Sequence, residues 1–307
     1  MDLINFKEYP VKNVLSEILK DKTTKKNIIF ATDAYSEYNV TSKTEMSPDL
    51  IRGLASFVIQ PRVFKSLDEQ SKRTRNKAEV FTPSWVCNQM NNHCDAEWFG
   101  REGVFNREDG QTWSVNPEKV QFDKPDDWKK YVDSNRIEIT CGEAPYLVSR
   151  YDTTTGEIIP VNERIGILDR KLRVVNENTD NEEEWLKWTC RAFQSVYGYE
   201  FQGDNLLIAR VNLLMTFVDY MRERWGRVPD DDELKKITNV ITWNLWQMDG
   251  ITGTIPFKKP KEKFPQMTFF DFEQGINDTE NEEVDCRIFD WRSQRSITYR
   301  SIKEQRR

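Results

Sequence analysis

Histidine is nearly absent from this chain, with His93 as the only copy among 307 residues. A serine hydrolase needs a histidine beside its nucleophile, and the chain also lacks a Gly-x-Ser-x-Gly turn, so that class has little support. No Gly-x-x-x-x-Gly-Lys-[Ser/Thr] loop occurs, which argues against a nucleotide triphosphatase. Cys87, His93 and Cys94 fit no usual zinc spacing and have no fourth ligand nearby, so we expect no metal site.

Long apolar runs are absent too, and without a run of about 18 apolar residues we expect no membrane span. The first ten residues, MDLINFKEYP, are acidic and polar and do not resemble a signal peptide. The five cysteines are dispersed without paired spacing, which predicts reduced thiols and a cytoplasmic location. The net charge of −6 gives no overall basic signature, so a nucleic-acid partner would need a local patch.

Residues 1–75 are predicted to form a mostly helical N-terminal region. The segment VKNVLSEILKD has apolar residues at helical spacing, and Ser47 before Pro48 marks the start of another helix. The stretch from Arg62 to Lys77 contains six basic and two acidic residues, and we interpret it as a solvated loop. This region would precede a larger unit over residues 76–270.

Within the larger unit, short β-rich segments alternate with longer helical ones. RIEIT (136–140) and SVYGYEF (195–201) are predicted strands, and residues 202–226 are a predicted helix that ends at Gly226. Asp230 and Glu233 have the spacing of a capping box, which predicts a further helix. Residues 271–307 are predicted to be an acidic connection followed by a basic segment that either contacts phosphates or frays.

A strand that runs into a turn of small residues and a helix is a general site for a polar ligand. The segment EITCGEAPYL, which contains Glu138 and Cys141, fits that description, and a second strand ends in an acid at Glu200. An acid in that position typically binds the two hydroxyls of a ribose. Taken alone, each match is weak against a plain α/β core.

Four segments in this order, EVFTPSWV, E-x-x-C-x-x-x-P-[FY]-L, VYGYEFQGDNLLIARVNLL and NLWQMDGI, together resemble the adenine-specific DNA methyltransferases of restriction–modification systems. The likeness is greatest to the modification subunits and covers about residues 72–250. It implies an α/β fold with a Rossmann-like S-adenosylmethionine-dependent methyltransferase sheet, which this chain contains in full or in part. It also implies S-adenosylmethionine as cofactor and double-stranded DNA as partner.

The resemblance assigns cofactor-binding roles to nine residues. Phe81, Thr82 and Pro83 would hold the carboxylate end of S-adenosylmethionine, while Glu138, Cys141 and Gly142 would wrap its methionine part. Glu200 would accept the ribose hydroxyls, and Phe201 would pack on the adenine ring. Asp249 would accept a hydrogen bond from the adenine amine, with Gly250 or Ile251 lining the ring.

The chain departs from the family pattern at four places. Ala144 replaces a glycine late in the turn, and Glu143 beside it would add a charge next to the cofactor. Glu138 and Glu200 lie 62 residues apart, against ~30 for a compact βαβ unit, which implies an insertion near residues 151–184. An extra helix also separates Glu200 from Asp249.

The fourth departure concerns catalysis. The family's Asn-Pro-Pro-Tyr element, which holds the flipped target base, is missing, because no two prolines are adjacent anywhere in the chain. No catalytic residue is therefore assigned, and we expect the chain to need a partner subunit that supplies the catalytic half or target recognition. Two alternatives stay open: a catalytically inactive module that binds DNA or a partner, and an α/β enzyme that binds a different nucleoside.

Overall fold

The structure is a computed structural model that describes residues 3–54, 59–77, 82–258 and 285–305. Its helices are α1 (Val11–Ile18), α2 (Pro48–Leu54), α3 (Leu67–Lys77), α4 (Ser84–Phe99), α5 (Asp127–Asp133), α6 (Ile167–Asn178), α7 (Glu182–Gln194), α8 (Gly203–Trp225), α9 (Asp231–Asn244) and α10 (Tyr299–Gln305). Its strands are β1 (Asn106–Asp109), β2 (Thr112–Val115), β3 (Arg136–Glu138), β4 (Val196–Glu200), β5 (Leu245–Gln247), β6 (Arg287–Asp290) and β7 (Arg295–Thr298). Phe81 and nearly all of the predicted acidic connection lie outside the described residues.

The central feature is a parallel sheet in the order β3-β4-β5, so consecutive strands are neighbours. Glu138 pairs with Gly198, and Glu200 pairs with Gln247. Because all three strands run in one direction, their carboxyl ends meet at one edge, which we call the carboxyl edge. The predicted mixed α/β fold is confirmed at this level, but the described residues contain three parallel strands and not a complete doubly wound sheet.

The two faces of the sheet are covered by different elements. Val196 and Leu245 point into the main core, which the helices surround. Tyr199 and Trp246 alternate with them and point the other way, into a smaller apolar cluster with Cys286 and other residues of the C-terminal segment. A parallel sheet is normally buried on both faces, and this alternation gives each face its own cover.

Helix α8 runs through the main core and is buried nearly all round. Arg210 lies fully inside it and donates to the carbonyl oxygens of Ile18, Lys20 and Leu245 at 2.6–3.0 Å. These carbonyls accept the charge-assisted hydrogen bonds that a buried guanidinium requires. Arg210 thereby fixes the N-terminal segment to the beginning of β5.

The N-terminal region contains α1, α2 and α3, with irregular chain between them. The interpretation of Arg62 to Lys77 as a solvated loop was wrong, because most of it is α3 and two of its cations are buried. Lys65 and Arg73 are 4% and 3% exposed and lie against the carboxylate of Asp204 in the first turn of α8. A run of basic residues stays exposed to solvent only when no acid from a distant part of the chain neutralises it in the interior.

The segment between β3 and β4 contains α6 and α7. Residues 151–184, predicted as an insertion, include α6, and Leu168, Leu172 and Val175 of that helix are fully buried in the main core. Helix α7 begins as its acidic first turn suggests, with Asn181 accepting a hydrogen bond from Glu184 N at 2.9 Å.

The C-terminal basic segment is an ordered hairpin of β6 and β7 followed by α10, so the described part does not fray as one of the two predictions had it. Cys286 and Ile288 are buried against Tyr199 and Trp246, and the Trp291 indole donates to Asn244 Oδ1 at 2.7 Å. Among the described residues, no helix is both long enough and apolar enough to cross a membrane. All five cysteines carry free thiols.

Candidate functional site

The turn that follows β3 has an unusual backbone. Thr140, Gly142 and Ala144 have φ values of 47°, 54° and 64°, so three alternate residues adopt left-handed conformations. Each non-glycine residue in that region costs roughly 1–2 kcal/mol, and such strain persists only where surrounding contacts enforce it. Here Cys141 N donates to Tyr199 O at 2.9 Å, and Ala144 N donates to Cys141 O at 2.7 Å.

Glu200 connects this turn to the neighbouring strand. Its Oε2 accepts a hydrogen bond from Gly142 N at 2.9 Å, and its Oε1 accepts one from Gln202 N at 3.0 Å. The acid that ends β4 therefore touches the backbone of the turn that follows β3. A carboxylate has about four acceptor positions, and the backbone N–H of Phe201 also donates to this one, so one position remains for a ligand donor such as a ribose hydroxyl.

Glu138 lies on the other side of the same turn. Its carboxylate accepts hydrogen bonds from Leu147 N at 3.1 Å and Tyr146 N at 3.4 Å, so it caps the chain that leaves the turn. The side chain is 9% exposed. Both predicted acids are thus brought to the same turn, each with backbone N–H groups as its hydrogen-bond donors.

Neither carboxylate has a cationic partner among the described residues. Burial raises the pKa of Glu138 to about 8, in spite of the two N–H donors, and the nearby Glu200 carboxylate adds to the increase. Burial also raises the pKa of Glu200, again against backbone donors. Among the described residues no lysine or arginine forms an ion pair with either acid. At neutral pH the pair therefore favours less than full ionisation.

Cys141 is 2% exposed, and burial together with Glu138 and Glu200 raises the pKa of its thiol well above the usual value. A nucleophilic cysteine needs the opposite shift, so this thiol is a packing group. It faces β4, where a Cβ on Gly198 would lie 3.3 Å from its Sγ. A side chain at residue 198 would require this thiol to shift by a few tenths of an ångström, so the close approach of the turn to β4 favours a glycine there.

Thr82 and Pro83 approach the site through α4, which begins directly after Pro83. The Thr82 side chain hydrogen-bonds the Tyr146 hydroxyl, and Thr82 O accepts from Thr153 Oγ1 at 3.0 Å. Tyr146 N in turn reaches Glu138, so the predicted Thr-Pro segment and the first acid share a neighbour. Phe81 is outside the described residues and is not placed.

Phe201 and Asp249 occupy the far end of the carboxyl edge. The Phe201 ring meets the Phe257 ring edge-on at a centroid distance of 5.5 Å, and Phe257 is 50% exposed. Asp249 Oδ1 accepts hydrogen bonds from Ile251 N at 2.8 Å and Thr252 N at 3.3 Å, so the carboxylate organises the loop after β5. The Ile251 side chain beside it is 94% exposed.

Glu143 does not add a charge to the site as was expected. Its carboxylate turns into the interior and accepts from Arg62 N and from the Tyr151 hydroxyl, both at 2.7 Å. The side chain is 1% exposed, and Asn212 donates to its backbone oxygen at 3.1 Å. Glu143 is therefore a structural link between the turn and the N-terminal region.

Two groups near the edge were missed by sequence reasoning. Gln247 in β5 donates to Ile29 O at 2.8 Å and Phe201 O at 2.9 Å, and it accepts from Ile29 N at 3.0 Å. Gly203 is the second, because a Cβ there would lie 2.0 Å from Ile29 O. The glycine that opens α8 was a visible signal, but its partner 174 residues earlier was not.

The structure thus gathers Thr82, Glu138, Cys141, Gly142 and Glu200 around one turn, with Phe201 and Asp249 farther along the same edge. The described residues contain no group of three or more metal-ligating side chains. Comparison of the chain with protein-family models, with curated proteins and with solved structures found no match.

Proposed function

We propose that the carboxyl edge binds S-adenosylmethionine and that the chain is the cofactor-binding subunit of a DNA adenine methyltransferase system. The observation that carries the proposal is the hydrogen bond from Gly142 N to Glu200, which joins the turn after β3 to the acid after β4. In open parallel sheets, ligands bind outside the carboxyl ends of the strands, and an acid after the second strand suits a ribose.

Charge gives separate support for this ligand. Two buried carboxylates without a cation are costly unless they are protonated or a ligand supplies positive charge. S-adenosylmethionine has a sulfonium and an amino group, and either would offset the Glu138 and Glu200 pair. A neutral adenosine would contact the ribose acid but would leave the pair as it is.

The remaining predicted contacts fit the length of such a ligand. Thr82 and Tyr146 lie beside Glu138 at the end proposed for the methionine, while Phe201, Asp249 and Ile251 lie toward the end proposed for adenine. The exposed Ile251 and half-exposed Phe257 offer apolar surface to a purine ring.

When bound, the cofactor supplies an activated methyl group, and the chain's own residues orient it. The chemistry needs little acid–base help, because positioning the acceptor amine in line with the methyl contributes most of the rate. The chain has no Asn-Pro-Pro-Tyr element to hold that amine, so the proposal assigns this role to a partner subunit. The same absence favours the second candidate function, an inactive module that keeps the fold and binds DNA or a partner.

Isothermal titration of the chain with S-adenosylmethionine tests the proposal. Glu200→Ala should weaken binding about 10- to 100-fold, since a hydrogen bond to a charged group contributes about 1.5–3 kcal/mol. Glu177→Gln is the matched control. Glu177 is a half-buried acid on α6 that also accepts a backbone hydrogen bond, from Val120 N at 2.9 Å. Unchanged affinity in Glu200→Ala, or no binding by the intact chain, contradicts the proposal.

A methylation assay then separates the two candidate functions. Unmethylated duplex DNA and radiolabelled S-adenosylmethionine are incubated with the chain alone and with each co-expressed neighbouring gene product. Methyl transfer that depends on a second chain supports the subunit proposal. Cofactor binding without methylation in any combination favours the inactive module.

A further inference from the structure

A cleft lies beside the carboxyl edge, next to β5, with a volume of about 630 Å³. Its walls come from the loops at residues 21–29 and 43–45, and its floor comes from Gln247 and residues 255–258. Gln247 holds this N-terminal loop in place through hydrogen bonds in both directions to Ile29. The cleft is therefore fixed to the same edge that carries the candidate cofactor site.

The rim of the cleft is basic. Lys25, Lys26, Lys43 and Lys258 line it, against two acids, Asp21 and Glu45. Lys25, Lys26 and Lys43 are exposed, and no described carboxylate lies within 4 Å of their ammonium groups. Three exposed cations that converge on one cleft form the local patch that an acidic chain needs to attract a polyanion.

The acid at the centre of this loop faces its own backbone. Asp21 is 4% exposed, and its carboxylate accepts from Thr24 N at 2.8 Å and Thr23 N at 3.4 Å. That carboxylate caps the turn in which Lys25 has a left-handed φ of 62°. The turn thus presents Lys25 and Lys26 outward while the neighbouring negative charge stays inside.

An aromatic side chain completes the cleft. Phe257 lines it and is 50% exposed, while one edge of its ring contacts Phe201 at the candidate adenine position. The backbone of Phe257 has a left-handed φ of 65°, a conformation that is rare for an aromatic residue and places the ring at this junction. An exposed ring beside lysines is the combination that binds a nucleotide base and its phosphates.

Another cleft, between α5 and α7, also combines lysines with an aromatic ring, Trp188, but more of its cations are paired. Lys129 contacts Asp126 at 2.6 Å and Lys130 contacts Asp127 at 2.7 Å, whereas Lys187 and Lys236 form no ion pair among the described residues. Arg191 there is paired with Asp133. Three of its five cations therefore have a carboxylate partner, whereas Lys25, Lys26 and Lys43 have none among the described residues.

We propose that the cleft beside β5 binds duplex DNA, with phosphates on Lys25, Lys26 and Lys43 and an extruded base against Phe257. The choice of DNA rests on the proposed function, and the cleft itself rests on the lysines and the ring. A base extruded onto Phe257 would lie next to the candidate cofactor site, where a methyl acceptor is needed.

The test uses fluorescence anisotropy with a labelled 30-base-pair duplex, titrated at several salt concentrations without cofactor. The triple variant Lys25→Ala/Lys26→Ala/Lys43→Ala should bind at least about tenfold more weakly and should lower the salt slope by about 2–3, because each phosphate contact contributes about 0.9. The matched control is Lys187→Ala/Lys235→Ala/Lys236→Ala, which removes the same charge from exposed positions on α7 and α9. Equal losses in both triple variants would overturn the proposal.

A separate variant tests the contact of a base with Phe257. Phe257→Ala should weaken binding by about 5- to 100-fold without changing the salt slope, as expected for a stacked base. Phe64→Ala, at a residue that is 49% exposed, is the control and should bind like wild type. A duplex with one mismatch should bind more tightly than a paired one, because extrusion then costs less. A wild-type chain that binds no duplex, or only single strands, contradicts the proposal.

Calorimetry with S-adenosylmethionine on the triple lysine variant separates this proposal from the proposed function. If the triple lysine variant binds the cofactor normally but has lost DNA binding, both proposals stand. If wild type binds DNA through the lysines but never binds the cofactor, the proposed function fails and the cleft remains.

Discussion

Glu200 and Asp204 are four residues apart, one at the end of β4 and the other in the first turn of α8, and both are buried. Asp204 has Arg73 Nη2 at 2.6 Å, Lys65 Nζ at 3.5 Å and the Tyr35 hydroxyl at 2.7 Å. Glu200 has backbone N–H groups as its donors, and the negative charges of Asp204 and Glu138 lie near it. The same short segment thus holds one acid that is neutralised inside the protein and one that is not.

The difference appears in the direction of the two pKa shifts. Burial opposes ionisation of Asp204, but Arg73 and Lys65 outweigh it and hold the pKa of Asp204 below its usual range. At Glu200 and Glu138 no cation does this, and burial raises the pKa of both. The comparison teaches that Asp204 belongs to the framework, whereas the carboxyl edge is left with acids that a cationic ligand can neutralise.

The largest effect on stability should come from removing Asp204, the acid that is neutralised inside the protein. Asp204→Ala leaves Arg73 and Lys65 buried without their counter-ion, so the free energy of unfolding should fall by about 3–5 kcal/mol. Urea denaturation measures the change. Asp68→Ala, which removes the exposed 2.7 Å pair with Lys72, should cost less than about 0.5 kcal/mol. A loss below about 1 kcal/mol in Asp204→Ala would mean that Asp204 does not neutralise Arg73 and Lys65 in the interior, and the contrast with Glu200 would fail.

A smaller effect on stability, with a defined pH dependence, should come from replacing Glu138. The pKa of Glu138 is raised from 4.5 to about 8 in the fold, so its contribution to stability is complete below pH 4.5 and is lost as pH rises through about 8. In Glu138→Gln this decline should disappear. The stability of the variant relative to wild type should therefore rise by about 1–3 kcal/mol between pH 5 and pH 8.5.

Denaturation curves at four pH values check this result, with Glu177→Gln as the control. Asp204 should show the reverse dependence, because a depressed pKa stabilises the fold above the usual aspartate value and that stability is lost on acidification. Parallel pH profiles for wild type and Glu138→Gln would mean that this carboxylate is not held in a cation-free environment.

The smallest effect separates structure from binding. Gly142 and Gly226 have φ values of 54° and 65°, so alanine at either position should lower the free energy of unfolding by about 1–2 kcal/mol. Only Gly142→Ala should also weaken S-adenosylmethionine binding, because Gly226 ends α8 away from the carboxyl edge. Calorimetry on the two variants makes the comparison, and equal affinities would count against a role for the turn in binding.

Local sequence signals predicted the helices and strands that begin or end at a residue typical of such an end. Helix α9 begins with the expected capping box of Asp230 and Glu233, and α8 ends at Gly226 in a left-handed conformation. The strand that ends at Glu200 was also predicted from its own sequence. These features depend on residues within a few positions of each other.

The features that sequence reasoning missed depend on distant partners. Lys65 and Arg73 looked like part of a solvated run because Asp204, which neutralises them, is 131 residues beyond Arg73. The inward direction of Glu143 was invisible for the same reason, since Arg62 N lies 81 residues before it. The hairpin of β6 and β7 was hidden by its charges, although Cys286 and Ile288 anchor it to β4 and β5.

Proton release on binding of S-adenosylmethionine tests the central claim most directly. Calorimetry near pH 7.5 in buffers of different ionisation enthalpy measures it for wild type and for Glu138→Gln. If a cationic ligand neutralises the Glu138 and Glu200 pair, wild type should release a fraction of a proton that the variant does not. Identical proton counts in the two proteins would contradict the account.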